Sequence, residues 1–349
     1  MPSYHDHVIR APFPTSRVRL LGAAASLPPT VRTSADVETL IADASTPFRP
    51  RAGSVEAISG VRTRRVACAD VQCSDLAADA GRRAMASAGV TPGDIDLLIF
   101  AAASQDLIEP ATAHIVQDKL ATCCPVMDVK NACNSFLNGI QLAEAMILSG
   151  SCETVLVTTG ELCSRAIDWH VSDSTNFRRN FPGYTMGDAG AAVVVARSDD
   201  ERGIFYRRFV AASRHWRLAT IASGGSRNPR GQEHGYLHAD GAALKDVFVE
   251  FAPGVTRQLE HESGIALADF DRILVHQATV PYLDAMLRVT GIPSGKIEHT
   301  VADFGNMAAA SLPVAFALAR ERGTIVDGDR VLWLGLASGI SVGAVMMVA

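Results

Sequence analysis

Lysine is scarce in this 349-residue chain: Lys119, Lys130, Lys245 and Lys296 are the only four among 32 basic residues, and net charge is −5. No basic excess is left over to attract nucleic acid or an anionic membrane, so both are excluded as expected partners. No stretch reaches the roughly 18 apolar residues that a membrane-spanning helix needs. The opening Met1-Pro2-Ser3-Tyr4-His5-Asp6-His7 is polar, lacks an apolar signal core and reads as the start of a loose arm over residues 1–16. There is no C-x-x-C pair and no histidine-rich tract, so no metal site is expected. The seven cysteines (68, 73, 123, 124, 133, 152 and 163) are odd in number and scattered. That pattern excludes a disulfide scaffold and fits reduced thiols in a cytoplasm.

What is present is apolar material in quantity. Hydrophobic residues make up 48% of the chain, enough for a large core and, by length, for two or more domains. Continuous apolar runs at Leu97 to Ala102, Thr154 to Thr159 and Ala191 to Ala196 predict strands covered on both faces. Shorter strands are predicted over Arg17 to Ala23 and Val126 to Val129. Helices are predicted over Ser34 to Ala44 (with Ser34 as N-cap), Ser74 to Ala88, Pro110 to Leu120 and from Cys133 onward, where Phe136, Ile140, Ala143 and Ile147 keep helical spacing. Residues 46–60, rich in Pro, Arg and Gly, read as a surface loop.

A second block repeats this grammar. Strands are expected over Phe205 to Ser213, Ile273 to His276, Lys296 to His299, Arg330 to Leu336 and Ser341 to Val348. Helices are expected over Gly241 to Gly264, Pro281 to Thr290 and Ala308 to Glu321. Alternating strands and helices predict parallel α/β layers. The chain divides as 17–200 and 201–349. In each half a Gly- or Ala-rich helix follows a short strand, which suggests duplication with the two helix starts meeting at one site.

Cys133 stands at the first of these helix starts. Free backbone N–H groups and the helix dipole favour negative charge there, so its thiol is expected to ionise more readily than a free one. His276 and Asn306 lie far downstream, and Cys, His and Asn together suggest covalent acyl chemistry. Taken alone, each residue has a blander reading: a small core hydrophobe, a satisfied buried histidine, a turn asparagine. The other six cysteines read as packing residues, with Cys123 and Cys124 as candidates for a pocket wall. Asp188 reads as structural. Arg178 and Arg179 read as a solvated loop, with an acidic carrier protein as the alternative.

The motifs, in order, resemble those of the thiolase superfamily, specifically β-ketoacyl-acyl-carrier-protein synthase III. They are Leu21 to Pro28, Ser59 to Arg65, Asp128 to Phe136 around Cys133, Gly187 to Ala192, His276-Gln277-Ala278, Gly305 to Pro313, and the glycine loop Leu336 to Ile340. The resemblance runs from about residue 17 to the end. Asp106-Leu107-Ile108-Glu109-Pro110 is further similar to the condensing enzymes of bacterial olefin biosynthesis, which join two fatty acyl thioesters head to head.

The resemblance implies a five-layered α-β-α-β-α fold of two similar halves and a homodimer that uses acyl groups on coenzyme A or a carrier protein, with no cofactor. It implies an acyl-Cys133 intermediate, His276 and Asn306 as donors to an enolate oxygen, and an oxyanion hole from the Cys133 N–H and the Ser338-Gly339 loop. Glu109, in the position of a glutamate that reaches the partner's site in those relatives, is implied as a base. Arg62 and Phe304 are expected to contact substrate. Two departures stand out. Thr279 replaces the asparagine of the family's "HQAN". The segment before Gly60 lacks the Trp-to-Arg run that holds coenzyme A in many relatives, leaving Arg51, Arg62 or Arg65 for that task. Carbon–carbon bond formation between acyl thioesters is therefore the expected function. The alternatives are acyl transfer from Cys133 to a hydroxyl or amine, and a non-catalytic partner subunit.

Overall fold

The computed structural model describes residues 17–198, 200–231 and 235–349, so the expected arm at 1–16 lies outside the described residues. In the first half, β1 (Arg17–Ser26) is followed by β2 (Thr30–Thr33), α1 (Ser34–Ala44), α2 (Ser54–Ser59) and β3 (Thr63–Val66). Next come α3 (Cys73–Ala88), β4 (Leu97–Ala101), α4 (Thr112–Leu120), β5 (Val126–Val129) and α5 (Ser135–Leu148). The half closes with β6 (Thr154–Leu162), α6 (Ser174–Tyr184) and β7 (Asp188–Ser198). In the second half β8 (Gly203–Ala211) precedes the short strands β9 (Ala219–Ile221) and β10 (Leu237–Ala239). Then follow α7 (Gly241–Ser263), β11 (Arg272–Val275), α8 (Val280–Thr290), α9 (Val301–Phe304), α10 (Ser311–Glu321), β12 (Arg330–Ala337) and β13 (Ser341–Val348).

Two sheets organise the molecule, in the orders β1-β7-β6-β4-β5 and β11-β12-β13-β8. They are mixed, not parallel: β7 is antiparallel to β1 and β6, and β13 is antiparallel to β12 and β8. The parallel pairs are β4 with β5 and β6, and β11 with β12. Alternation of strands and helices did not reveal this, because β7 returns antiparallel to β6 although α6 stands between them, and β13 returns antiparallel to β12 through a short loop. The expected strand at Lys296 to His299 shrinks to one parallel bridge, Ile297 to Ile273. That bridge stands where β5 stands in the first sheet, so the strand orders of the halves correspond.

Layering follows from which faces are apolar. Helices α5 and α10 lie between the sheets, in one core with Leu97, Val157, Leu274 and Val345. Trp333 sits there with ring centroids 5.1 Å from Phe316 and 6.3 Å from Phe136. Each such fully buried large side chain contributes roughly 1.5–3 kcal/mol. Helices α3 and α4 cover the outer face of the first sheet, and α7 and α8 that of the second. The five layers are those expected.

Local differences have local causes. Thr33, not Ser34, caps α1: its hydroxyl accepts from Asp36 N at 3.1 Å while Asp36 accepts from Thr33 N at 2.7 Å. Residues 54–59 of the expected loop form α2, held because Glu38 accepts from Gly53 N and Val55 N, each at 2.8 Å. The last long helix starts at Ser311, after a tight turn over Ala308–Ala310. Helix α6, which carries Arg178 and Arg179 in place of a solvated loop, is capped by Asp173 accepting from Thr175 N and Asn176 N.

Candidate active site

Strand β5 turns into α5 within five residues. Ala132 takes a left-handed φ of 48°, a conformation that costs a non-glycine residue about 1–2 kcal/mol. Ser135 Oγ accepts from Asn131 N at 2.7 Å and donates to Ala132 O at 2.7 Å, locking the elbow. Asn134 Nδ2 donates to Ser341 O at 3.1 Å, tying the elbow to β13. A Cβ on Gly335 would collide with Asn134 Oδ1, so β12 needs glycine at that point. Asp128, in the same motif, accepts from Thr112 N and Ala113 N and so caps α4.

His276 follows β11 directly, and its N–H donates to Leu334 O at 2.9 Å. His276 is 4% exposed, and its ring Nδ1 has no protein partner among the described residues. Burial lowers its pKa to about 4, so the imidazole is neutral at pH 7. Gln277 Oε1 accepts from Thr300 N and Val301 N, each at 3.1 Å, and its Nε2 donates to Glu298 O at 2.7 Å. This side chain orients the segment leading to Asn306. Thr279 accepts from Tyr282 N at 3.2 Å and caps α8, so the departure at this position has a structural use.

Asn306 is gripped from the first half. Its N–H donates to Thr185 O at 2.9 Å and its C=O accepts from Gly187 N at 3.0 Å. Side-chain Oδ1 accepts from Ala308 N at 3.0 Å, which leaves the Nδ2 hydrogens as the carboxamide's remaining donors. Gly187 and Gly305 have no room for a Cβ, which would meet Phe304 O and Thr185 O respectively.

Cys133, His276, Asn306 and Ser338 line one cavity of about 1090 Å³. Its walls include Phe177, Phe181, Phe248 and Tyr282, and exposed Arg178, Arg179, Arg217 and Lys245 stand along it. The Cys133 thiol departs from expectation: its pKa is pushed up to about 12, by burial first and then by the nearby Glu161 carboxyl, against a smaller opposing backbone hydrogen bond. Desolvation of the thiolate outweighs the helix start. Its residue retains partial surface exposure, yet protein atoms crowd the sulfur, and the low polarity of that shell decides the shift.

Other expected residues lie elsewhere. Arg62 pairs with Asp303, Nη2 to Oδ1 at 2.5 Å, and does not line the cavity. Phe304 packs beside Ala25, Ala189 and Met307. Gly339 lies in the loop between β12 and β13 with φ 107°, beside the cavity-lining Ser338. Glu109 is exposed and outside the cavity of its own chain. Asp188 accepts from Ala67 N and from Ser164 N and Oγ, a structural use as read. Sequence reasoning passed over Gln277, whose signal was only its place beside His276, and the Asn134–Gly335 contact, which had none.

The layered architecture is that of the thiolase-fold condensing enzymes. It superposes on cerulenin-bound OleA of Xanthomonas campestris with a TM-score of 0.87 at 26% identity, covering 96% of this chain and 98% of that one. It also matches a cysteine-to-serine variant of that protein with bound lauric acid and lauroyl-CoA, at TM-score 0.87 and 26% identity over 95% and 99% of the two chains. The 3-oxoacyl-[acyl-carrier-protein] synthase III profile matches residues 127–212, and the C-terminal profile of that family matches 261–348. A β-ketoacyl-[acyl-carrier-protein] synthase III from Neisseria meningitidis is 33% identical over 84% of this chain and 89% of its own length. One from Symbiobacterium thermophilum is 31% identical over 95% and 97%. The chain belongs to the β-ketoacyl-[acyl-carrier-protein] synthase III family. It is an acyl-thioester condensing enzyme of that type.

Proposed function

We propose that Cys133 carries the acyl group and that His276 and Asn306 stabilise the carbon nucleophile that attacks it. One observation carries this reading: the three side chains line a single cavity, with Asn306 turned by Ala308 N so that its amide hydrogens remain available. The Cys133 sulfur bonds to the thioester carbonyl carbon as the thiol proton leaves, and the departing thiol takes up a proton. The oxyanion of that step is met by backbone N–H groups at Cys133 and the Ser338-Gly339 loop. The second thioester then forms an enolate, by loss of CO2 or of an α-proton. Neutral imidazole and carboxamide donate hydrogen bonds to the enolate oxygen without transferring a proton to it. Its carbon attacks acyl-Cys133, releasing the sulfur and a β-keto thioester.

The substrates in this reading are thioesters of coenzyme A or a carrier protein, with no resident cofactor. The aromatic walls suit an apolar acyl chain, and the cationic side chains along the cavity suit the phosphate of either carrier. The chain works as a homodimer in a cytoplasm. Exposed Leu107 and Ile108, 51% and 64% accessible and adjacent to Glu109, support a covered face there. Glu109 then acts as a base only in the partner's site, since it stands outside its own chain's cavity. All seven cysteines are free, in keeping with a reducing compartment.

The test is mass spectrometry of the intact protein and of the Cys133 peptide after incubation with acyl-CoA and acyl-carrier thioesters, followed by product analysis with a malonyl or second acyl thioester. Acyl adducts on Cys133→Ala at the parent's level would overturn the assignment. An acyl-Cys133 that discharges to alcohols or amines without a carbon–carbon product would point to simple acyl transfer.

A further inference from the structure

Glu161 is a fully buried carboxylate near the end of β6, and nothing in the proposed reaction uses it. Four protein groups approach it as donors. Oε1 accepts from Ala103 N at 2.7 Å and from Ala309 N at 3.3 Å, and Oε2 accepts from Ser104 N at 3.0 Å, with Cys163 Sγ at 4.0 Å. The surrounding N–H donors favour the carboxylate form. Burial pushes the other way, raising its pKa from the ordinary carboxylate value.

The partners make this placement informative. Ala103-Ser104 opens the loop that continues to Glu109, in the first half. Ala309 N belongs to the second half and follows the amide that orients Asn306: Ala308 N is bound by Asn306 Oδ1, and Ala309 N, next in the chain, is bound by Glu161. Ala308 sits in this turn at a left-handed φ of 45°, a strained conformation that needs outside support. Glu161 supplies that support through its contact with Ala309 N, and its charge also bears on the Cys133 thiol.

We propose that Glu161 is a positioning residue for the condensation step: by accepting from Ala309 N while anchored on Ala103 N and Ser104 N, it fixes the Ala308–Ala310 turn and thereby the direction of the Asn306 carboxamide. The proposal rests on the reading of Asn306 given above. Its second consequence is electrostatic, because negative charge on this carboxyl opposes ionisation of Cys133. The ionisable groups sharing this buried region are Cys73, Cys133 and Cys163, with Asp106, Asp188 and Arg165 around them.

Glu161→Gln keeps the shape but points a donor amide at N–H groups. In this variant the ratio of condensation to Cys133 acylation should fall on the order of 10²-fold, the usual effect of misplacing a reacting group by about an ångström. Alkylation of Cys133 by iodoacetamide should become several-fold faster at a given pH and its pH profile should move to lower pH, which a merely structural loss would not produce. Glu161→Asp retains the charge without the reach. It should restore the alkylation profile while leaving the condensation ratio low, and it carries the same ratio test if the Gln variant does not fold. In an Asn306→Ala background, Glu161→Gln should cost little further condensation. A condensation ratio within twofold of the parent in the folded variants, or full additivity with Asn306→Ala, overturns the proposal. If Asn306→Ala itself leaves condensation unchanged, the reading of the active site falls instead, and the two failures are told apart.

Discussion

In the first half of the molecule Cys133 is presented by a turn closed first by its own neighbours: β5 runs into α5, Ser135, Asn131 and Ala132 close the elbow among themselves, and Asn134 ties it to Ser341 of β13. In the second half the edge strand has dwindled to the Ile297 bridge, α9 is four residues long, and Asn306 is held from outside. Thr185 and Gly187 clamp its backbone, and Gln277 and Glu161 support the segments on either side. Each half places a left-handed alanine beside its reactive residue, Ala132 in one and Ala308 in the other. Duplicated topology thus supplied two strained turns. A nucleophile tolerates self-contained support, whereas a hydrogen-bond donor must be aimed at a substrate atom and takes its direction from several elements.

The sharpest way to break this comparison is to remove the reactive groups one at a time. Cys133→Ala should abolish acyl transfer to the protein, read as loss of the adduct mass. Asn306→Ala should leave the adduct and lower carbon–carbon product formation on the order of 10²–10³-fold. Equal losses in both assays for Asn306→Ala would erase the division of labour between the halves.

Two glycines sharpen it further. Gly335→Ala forces a methyl against Asn134 Oδ1 and Leu137 and should disturb the cysteine elbow, whereas Gly187→Ala forces one against Phe304 O and should disturb the Asn306 clamp. Overpacking of this kind costs about 1–3 kcal/mol, measured by urea unfolding. Gly335→Ala should slow acylation more than Gly187→Ala does, and the reverse order should hold for condensation.

A comparable effect is expected from pH. His276 has a folded-state pKa of about 4 against an unfolded value of 6.5, so the unfolded chain binds the proton more readily. The stability tied to neutral His276 is present above pH 6.5 and is lost as pH falls toward 4, by about 3 kcal/mol in all. Unfolding midpoints between pH 7 and 4.5 should show this loss, and His276→Gln should remove that part of it. The smallest effect belongs to Thr279→Ala, which removes the α8 cap and should cost about 1 kcal/mol in urea unfolding, with the ratio of condensation to acylation unchanged.

Much of this was readable in the chain. Helix α1 and strands β4 and β5 fall within a residue of expectation, α1 through its amphipathic spacing, β4 through its continuous apolar run and β5 through its place before the Cys133 motif. Helix α6 was missed although Phe177, Phe181 and Tyr184 are spaced for one face: Pro182 and the surrounding polar residues hide the pattern, and the aromatic cluster with Trp169 gives it meaning only in three dimensions. The meeting of Cys133, His276 and Asn306 at one cavity was legible through the motifs around them. Arg62 and Phe304 were not, since a side chain beside a motif can turn toward Asp303 or into a core as easily as toward a substrate.

By itself the sequence determined the alternation of strands and helices, the repeated halves and the three residues proposed for the chemistry, because periodicity and motif are local properties. Only the tertiary structure decided that both sheets are mixed, that the Cys133 thiol resists ionisation, and that a buried glutamate accepts from Ala309 N. Those depend on which atoms from distant segments share a low-polarity interior, and the solvation energy of a charge is set by neighbours that no local pattern names.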